Sequence, residues 1–226
     1  VLLLFDIDGT LMIKASREHA ESLCFALQRI HGLSELPSER VEAAGRTDSA
    51  IARSILMLAG VSAEQIDARA RDVQVLTCEE YARRCPKDLS DRVAPGVPDV
   101  LEELSARDDV ELALVTGNYV DVAHRKLDAA GIGHFFPRGR GGFGSDSEDR
   151  SDLPSIARAR AGDHPSSNTV VIGDTPRDIA CARADNCHVI AISTGPFRAP
   201  DLHGADQIIS TAREIPHALT RIPGLT

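Results

Sequence analysis

The chain opens on an unbroken apolar run, residues 1–5, that stops abruptly at Asp6-Ile7-Asp8-Gly9-Thr10. A continuous run of this kind predicts a strand covered on both faces, as in a parallel sheet. Residues 6–11 are then the loop at its C-terminal end. From Ser16 the period changes. Ala20, Leu23, Cys24, Leu27 and Ile30 recur at helical spacing as far as Gly32, which predicts a helix over 16–31. Thr47 serves as N-cap of a second helix reaching Ala59. A third spans 62–84, carries Ile66, Ala70, Val73, Leu76 and Tyr81, and is ended by Pro86. Residues 14–90 show no strand pattern, so they predict an all-helical insert about the size of a small domain.

After Ala94-Pro95-Gly96 strands and helices alternate. Strands are predicted over 110–115, 169–172, 188–192 and 207–209. Helices are predicted over 97–106, 120–130 and 176–184, with another after Arg150 capped by Ser151 or Asp152, and a last one near 211–219. Residues 139–144 (GRGGFG) read as a loop or hairpin. The alternation implies right-handed βαβ units and an α/β fold with a doubly wound, Rossmann-like parallel sheet. The expected division is a core of 1–13 and 91–226, with a helical cap of 14–90 inserted after the first strand.

Composition changes this picture little. The 226 residues are 42% hydrophobic and 26% charged, which is ordinary for a globular chain. The net charge of −9, from 34 acids against 25 Lys+Arg, argues against nucleic acid or an anionic membrane as partner. No apolar run approaches the ~20 residues of a membrane span. The five cysteines are odd in number and form no CxxC pair, so free thiols in a reducing cytoplasm are expected. The chain starts at Val, so leading residues are expected to be missing, and its oligomeric state is not legible.

The chemistry gathers at three strand ends: Asp6-Ile7-Asp8-Gly9-Thr10, Thr116-Gly117-Asn118 and Gly173-Asp174-Thr175-Pro176-Arg177-Asp178. Ligands of open α/β sheets bind beyond the carboxyl ends of the strands, so the three point to one crevice. Asp6, Asp8, Asp174 and Asp178 would repel one another there unless a hard divalent cation sat among them, and Mg²⁺ suits a few carboxylates plus waters. An acid two residues after another on an extended chain faces the same site, so one of Asp6 and Asp8 can attack while the other moves protons. Gly9 lets the backbone turn close to a phosphate, with Thr10 beside it, and the Thr116 hydroxyl can hold a phosphoryl oxygen. Gly117 and Asn118 line the same crevice.

FDIDGTL, VTGN and GDTPRD, in this order around a helical insert, resemble the haloacid dehalogenase superfamily of phosphohydrolases. The resemblance implies Asp6 as nucleophile, forming an aspartyl-phosphate. It implies Asp8 as general acid/base, with its backbone carbonyl on Mg²⁺. Thr116 would grip the phosphoryl group, Asp174 would bind the metal, and Asp178 would bind or orient it. The family expects a basic residue, usually Lys, between the second and last segments. No Lys follows Lys126, so Arg150 is assigned that role, with Arg158 and Arg140 as alternatives. Gly45-Arg46-Thr47-Asp48 resembles a cap loop of phosphoglycolate phosphatase-like members, which would bring Arg46 to a substrate carboxylate or second anionic group.

The expected activity is therefore Mg²⁺-dependent hydrolysis of a small phosphorylated metabolite, phosphoglycolate or a similar phosphomonoester. The alternatives are a phosphomutase resembling β-phosphoglucomutase and, in a different class, a non-catalytic phosphate-binding or receiver-like protein. The long helical insert speaks against a compact receiver, and the presence of both Asp6 and Asp8 against a degenerate binder.

Overall fold

The structure, a computed structural model, describes residues 1–225. Six strands form one parallel sheet: β1 Leu2–Phe5, β2 Glu111–Thr116, β3 Gly142–Phe143, β4 Thr169–Gly173, β5 His188–Ile192 and β6 Gln207–Ile209. Their order is β3-β2-β1-β4-β5-β6. The first strand is thus central, and the order reverses beside it, which places a crevice at its carboxyl end. Leu2 pairs with Glu111 on one side and Thr169 on the other, and Phe5 with Leu114 and Ile172. This register brings Asp6, Thr116 and Asp174 to the same edge.

The apolar run of β1 is explained by its two covered faces. Leu3 and Phe5 pack with Leu114, Ile172 and Ile190 against α4 Val97–Ser105, α5 Val120–Ala129 and α8 Ile215–Leu219. Leu2 and Leu4 pack with Val115 and Val171 against α6 Leu153–Arg160 and α7 Pro176–Ala184. Burying each such side chain contributes about 1.5–3 kcal/mol before entropy is counted.

Three helices lie between β1 and β2: α1 Arg17–His31, α2 Asp48–Leu58 and α3 Ala63–Arg84. Their shared core of Leu23, Leu27, Leu56, Ile66, Val73 and Tyr81 also takes in Tyr119 and Val122 from the start of α5. This is the inserted all-helical cap. The chain leaves and re-enters the sheet along two adjacent stretches: Ile13 N donates to Arg92 O (2.8 Å), Ala94 N to Leu11 O (2.9 Å), and Lys14 takes a left-handed φ of 55°.

Two local expectations are corrected. Residues 139–144 hold not a hairpin but the edge strand β3, parallel to β2, with Val115 opposite Gly142. Of the two caps expected before α6, Asp152 holds the N-cap position but its side chain makes no cap bond. Asp149 accepts from Ser151 N (2.9 Å) and starts a short 3₁₀ turn, Arg150–Asp152, that runs straight into the helix. Likewise Ser16, where the first cap helix begins, makes no cap bond, because its hydroxyl donates to Asp8 Oδ1 (3.2 Å). All five cysteines are free.

Candidate active site

The three strand ends converge. Oxygen atoms of Asp6, Asp174 and Asp178, all buried, lie within 4.8 Å of one another. Arg150, from the 3₁₀ turn before α6, reaches them: its Nη2 is 3.1 Å from Asp6 Oδ1 and donates to Asp178 Oδ1. The other oxygen of Asp178, Oδ2, accepts from Thr175 N (2.9 Å) and Thr175 Oγ1 (2.7 Å). Both oxygens of Asp178 are therefore engaged. Asp174 differs: Thr10 Oγ1 donates to its Oδ1 (3.3 Å), while its buried Oδ2 has no hydrogen-bond partner.

An orphaned buried carboxylate oxygen is costly unless something absent from the polypeptide meets it. The backbone is shaped around this atom. A Cβ on Gly9, where φ is +94°, would lie 2.2 Å from Asp174 Oδ2, and one on Gly195 would lie 1.6 Å away. Only glycine fits at either place. The electrostatics agree. Burial first, then the neighbouring acids Asp178 and Asp8, raise Asp6 to about 7 against the pull of Arg150. Burial, then Asp6 and Asp178, raise Asp174 to about 8. Carboxylates held this far above their ordinary range share protons where a cation would replace them. Asp6 and Asp174 thus fit a hard divalent cation such as Mg²⁺.

Asp8 sits in a contrasting setting. Burial would raise it, but Lys126, then His19, lower it to about 2. Lys126 Nζ donates to both its oxygens (2.9 and 2.7 Å), and Asn118 Nδ2 donates to Oδ2 (2.8 Å). Lys126 is buried on α5 and also meets His19 Nδ1 (3.3 Å). His19, on α1, meets Asp48 Oδ2 through Nε2 (3.0 Å), and Tyr119 N donates to that same oxygen (2.7 Å). Thr116 is buried, with Asn118 Nδ2 donating to its Oγ1 (3.0 Å). Two adjacent carboxylates are thereby given opposite electrostatics, the pattern that assigns separate chemical tasks.

Lys126 and His19 were not among the sequence-derived candidates. A signal for Lys126 existed, since it falls three residues after Ala123 and four after Val122, on the apolar face of its helix. His19 carried none, because its neighbours come from another part of the chain. Of the alternatives to Arg150, Arg158 pairs with Asp185 and Arg140 with Glu111, both away from the crevice.

The cap is seated on the core through the loop before α2. Asp48 N donates to Gly117 O (2.8 Å), Thr47 Oγ1 to Glu148 O (2.7 Å) and Arg177 Nη1 to Ala44 O (2.8 Å). A Cβ on Gly117 would lie 2.0 Å from Arg46 O. Arg46, expected to meet substrate, lines the space between cap and core, and its Nη2 donates to Ala50 O (2.8 Å) and Ser54 Oγ (2.7 Å). Between cap and core lies a cavity of about 540 Å³ with Asp6, Asp8, Asp174, Asn118 and Arg150 at its floor.

A parallel α/β sheet with a helical insert after its first strand, and a buried carboxylate cluster with one arginine at its switch point, define an enzyme built for phosphoryl-transfer chemistry. The family of haloacid dehalogenase-like hydrolases matches residues 3–183, and a second description, HAD-hydrolase-like, matches residues 153–218. The chain belongs to the haloacid dehalogenase-like hydrolase family. No curated protein matches it. Among solved structures it resembles a haloacid dehalogenase-like hydrolase from Streptococcus pneumoniae (21% identity, 96% of each chain, TM-score 0.64). It also resembles a predicted phosphoglycolate phosphatase from Haemophilus somnus (20%, 96% of each chain, 0.62) and a β-phosphoglucomutase from Clostridium difficile (13%, 96% of each chain, 0.66). At these identities the likeness is one of fold. Among the described residues no helix is long and apolar enough to cross a membrane.

Proposed function

We propose that the protein is a Mg²⁺-dependent phosphatase of a small phosphomonoester, working through an aspartyl-phosphate on Asp6. The observation that carries this reading is the orphaned Oδ2 of Asp174 beside Asp6 in a buried cluster. In this reading Asp6, Asp174 and the backbone carbonyl of Asp8 hold the metal, and Asp178 acts by fixing Arg150 and Thr175. When bound, Mg²⁺ supplies charge neutralisation for the nucleophile and the phosphoryl oxygens.

Asp6 attacks phosphorus and the bond from phosphorus to the leaving oxygen breaks. Asp8 gives that oxygen a proton. Water then attacks the phosphorus carried by Asp6, Asp8 takes the water proton, and phosphate leaves. Arg150 and the Thr116 hydroxyl hold the transferring group, with Gly9, Thr10, Gly117 and Asn118 around it. The resting carboxylate of Asp8, paired with Lys126, is in the base form needed for the second half. An incoming phosphate dianion opposes Lys126 and raises the proton affinity needed for the first half. The same reading takes 14–90 as the cap and 1–13 with 91–226 as the core.

A mutase would need a second anion site to rebind a bisphosphate. On the cap side of the cavity the cations are Lys14 and Arg46, and Arg46 is already bonded to Ala50 O and Ser54 Oγ, which leaves no cluster of free cations for a second phosphate, so hydrolysis is the better reading. The test is p-nitrophenyl phosphate turnover with Mg²⁺ and with EDTA. Turnover only with Mg²⁺, lost in Asp6→Asn, is expected. Equal rates with and without metal would overturn the reading.

A further inference from the structure

The cavity has two unlike ends. Its floor is polar, as described. The opposite wall, built by the linker after β1, by α1, by the loop before α2 and by the loop after β5, presents Ile13, Ala20, Leu23, Ala44, Ile51 and Pro196. Most polar side chains among these elements are already occupied. Arg46 is turned onto Ala50 and Ser54. His19 is held between Lys126 and Asp48, and Ser16 donates to Asp8. Two of the wall's carbonyls are engaged as well: Ala43 O accepts from Arg46 N (3.0 Å) and Ala44 O from Arg177 Nη1 (2.8 Å). Lys14, at the mouth, is the exception.

A sugar bound against such a wall would lose water from its hydroxyls and gain few partners, and a carboxylate would have to draw Arg46 away from Ala50 O and Ser54 Oγ. Both losses count against binding. An apolar body loses nothing and gains burial. We infer that the substrate is the phosphomonoester of a compact apolar alcohol, aryl or branched alkyl, rather than a sugar phosphate or a phosphorylated hydroxy acid. This rests on the phosphatase reading above and deepens it. The wall sets specificity, and the floor does chemistry on whatever phosphate the wall admits.

The test measures two things on the Mg²⁺-loaded enzyme. Calorimetry compares two non-hydrolysable phosphonates, the apolar 1-naphthylmethylphosphonate and the carboxylated 3-phosphonopropionate. Turnover compares 1-naphthyl phosphate, glucose 6-phosphate and phosphoglycolate. Binding of the naphthyl phosphonate at least tenfold tighter, with kcat/KM for 1-naphthyl phosphate at least tenfold above the other two, is expected. In Ala20→Asn, at an exposed helical position, and in Ile51→Asn, the naphthyl preference should shrink by tenfold or more. Preference for phosphoglycolate or the sugar phosphate, or a naphthyl preference untouched by both variants, would overturn the inference. The binding arm separates the two readings. Naphthyl-selective binding without turnover would sink the phosphatase reading alone. Turnover with the opposite selectivity would sink the substrate class alone.

Discussion

Asp8 shows how much a single side chain here depends on its neighbours. It is held as a carboxylate by Lys126, Asn118 and Ser16, each from a different element. Lys126→Met keeps the length and removes the charge. Its expected effect is a fall in kcat of roughly 10²–10⁴-fold, the usual worth of a positioned acid/base. Stability should also drop, because removing one partner leaves the other charge unpaired. If kcat in a folded Lys126→Met protein stays within a factor of two, Asp8 needs no such partner. Asp6→Asn is the complementary case. It removes the nucleophile and one negative charge from a crowded site, so turnover should vanish while the melting temperature holds or rises. A melting temperature several degrees lower would show that Asp6 is needed for the fold.

The residues legible in the sequence are those whose meaning is local. Asp6, Thr116 and Asp174 each follow an apolar strand, and strand register alone brings them together. Arg150 was reachable only through the basic residue that the family resemblance implies, with Arg158 and Arg140 left open beside it. The bond from His19 to Lys126 was not, because it depends on how the cap sits. The partners of Arg46 were hidden for the same reason. Its place beside Thr47 and Asp48 is a matter of sequence, but the direction of its guanidinium is settled by Ser54, a turn further along α2.

At the scale of elements, the loop before α2 is the seat of the cap. Its close approach rests on Gly117, where a methyl group would meet Arg46 O. Gly117→Ala should therefore push the loop off the core without unfolding either part. Expected are a loss of tenfold or more in kcat/KM and faster proteolysis within 40–48, with the circular dichroism spectrum unchanged. Wild-type kinetics would mean that the loop can shift by an ångström or more at no cost. Helix α5 has a double attachment: its start packs into the cap's apolar core, while its Leu127 lies in the sheet's. Helical periodicity predicted this helix, but a period cannot say that two cores share it. The edge strand β3 was missed for a related reason. Two residues are too few to show any period, and its pairing comes wholly from β2.

For the whole molecule, the raised carboxylates link stability to pH. Asp6 at about 7 and Asp174 at about 8 lie above the ordinary carboxylate value of 3.8. The folded protein then keeps protons that the unfolded chain has released. Stability should fall as pH rises from about 4 toward 8, since the unfolded state binds fewer protons there. Asp8, lowered to about 2, acts in the opposite sense and only below pH 4. In EDTA the melting temperature should therefore drop between pH 5 and pH 8. Saturating Mg²⁺ should remove most of that slope, and a hundredfold excess over Kd should add about 2.7 kcal/mol at neutral pH. A flat profile in EDTA would mean that the acids ionise freely without metal.

The central place of β1 has a consequence for how the protein is made. Leu2 leaves the ribosome more than a hundred residues before its partners Glu111 and Thr169. For most of synthesis the most apolar stretch of the chain has nothing to pair with. The cap helices can form meanwhile from contacts close in sequence, whereas the sheet must wait for its distant strands. A nascent chain of this design carries an exposed, sticky first strand for a long time, the condition under which aggregation competes and chaperones are recruited. Stalled chains ending before 165 should bind a chaperone or aggregate, while chains extended past 192 should be released. The acids that follow β1 are synthesised long before Thr116 and Asp174 and reach their working positions only once those strands have paired.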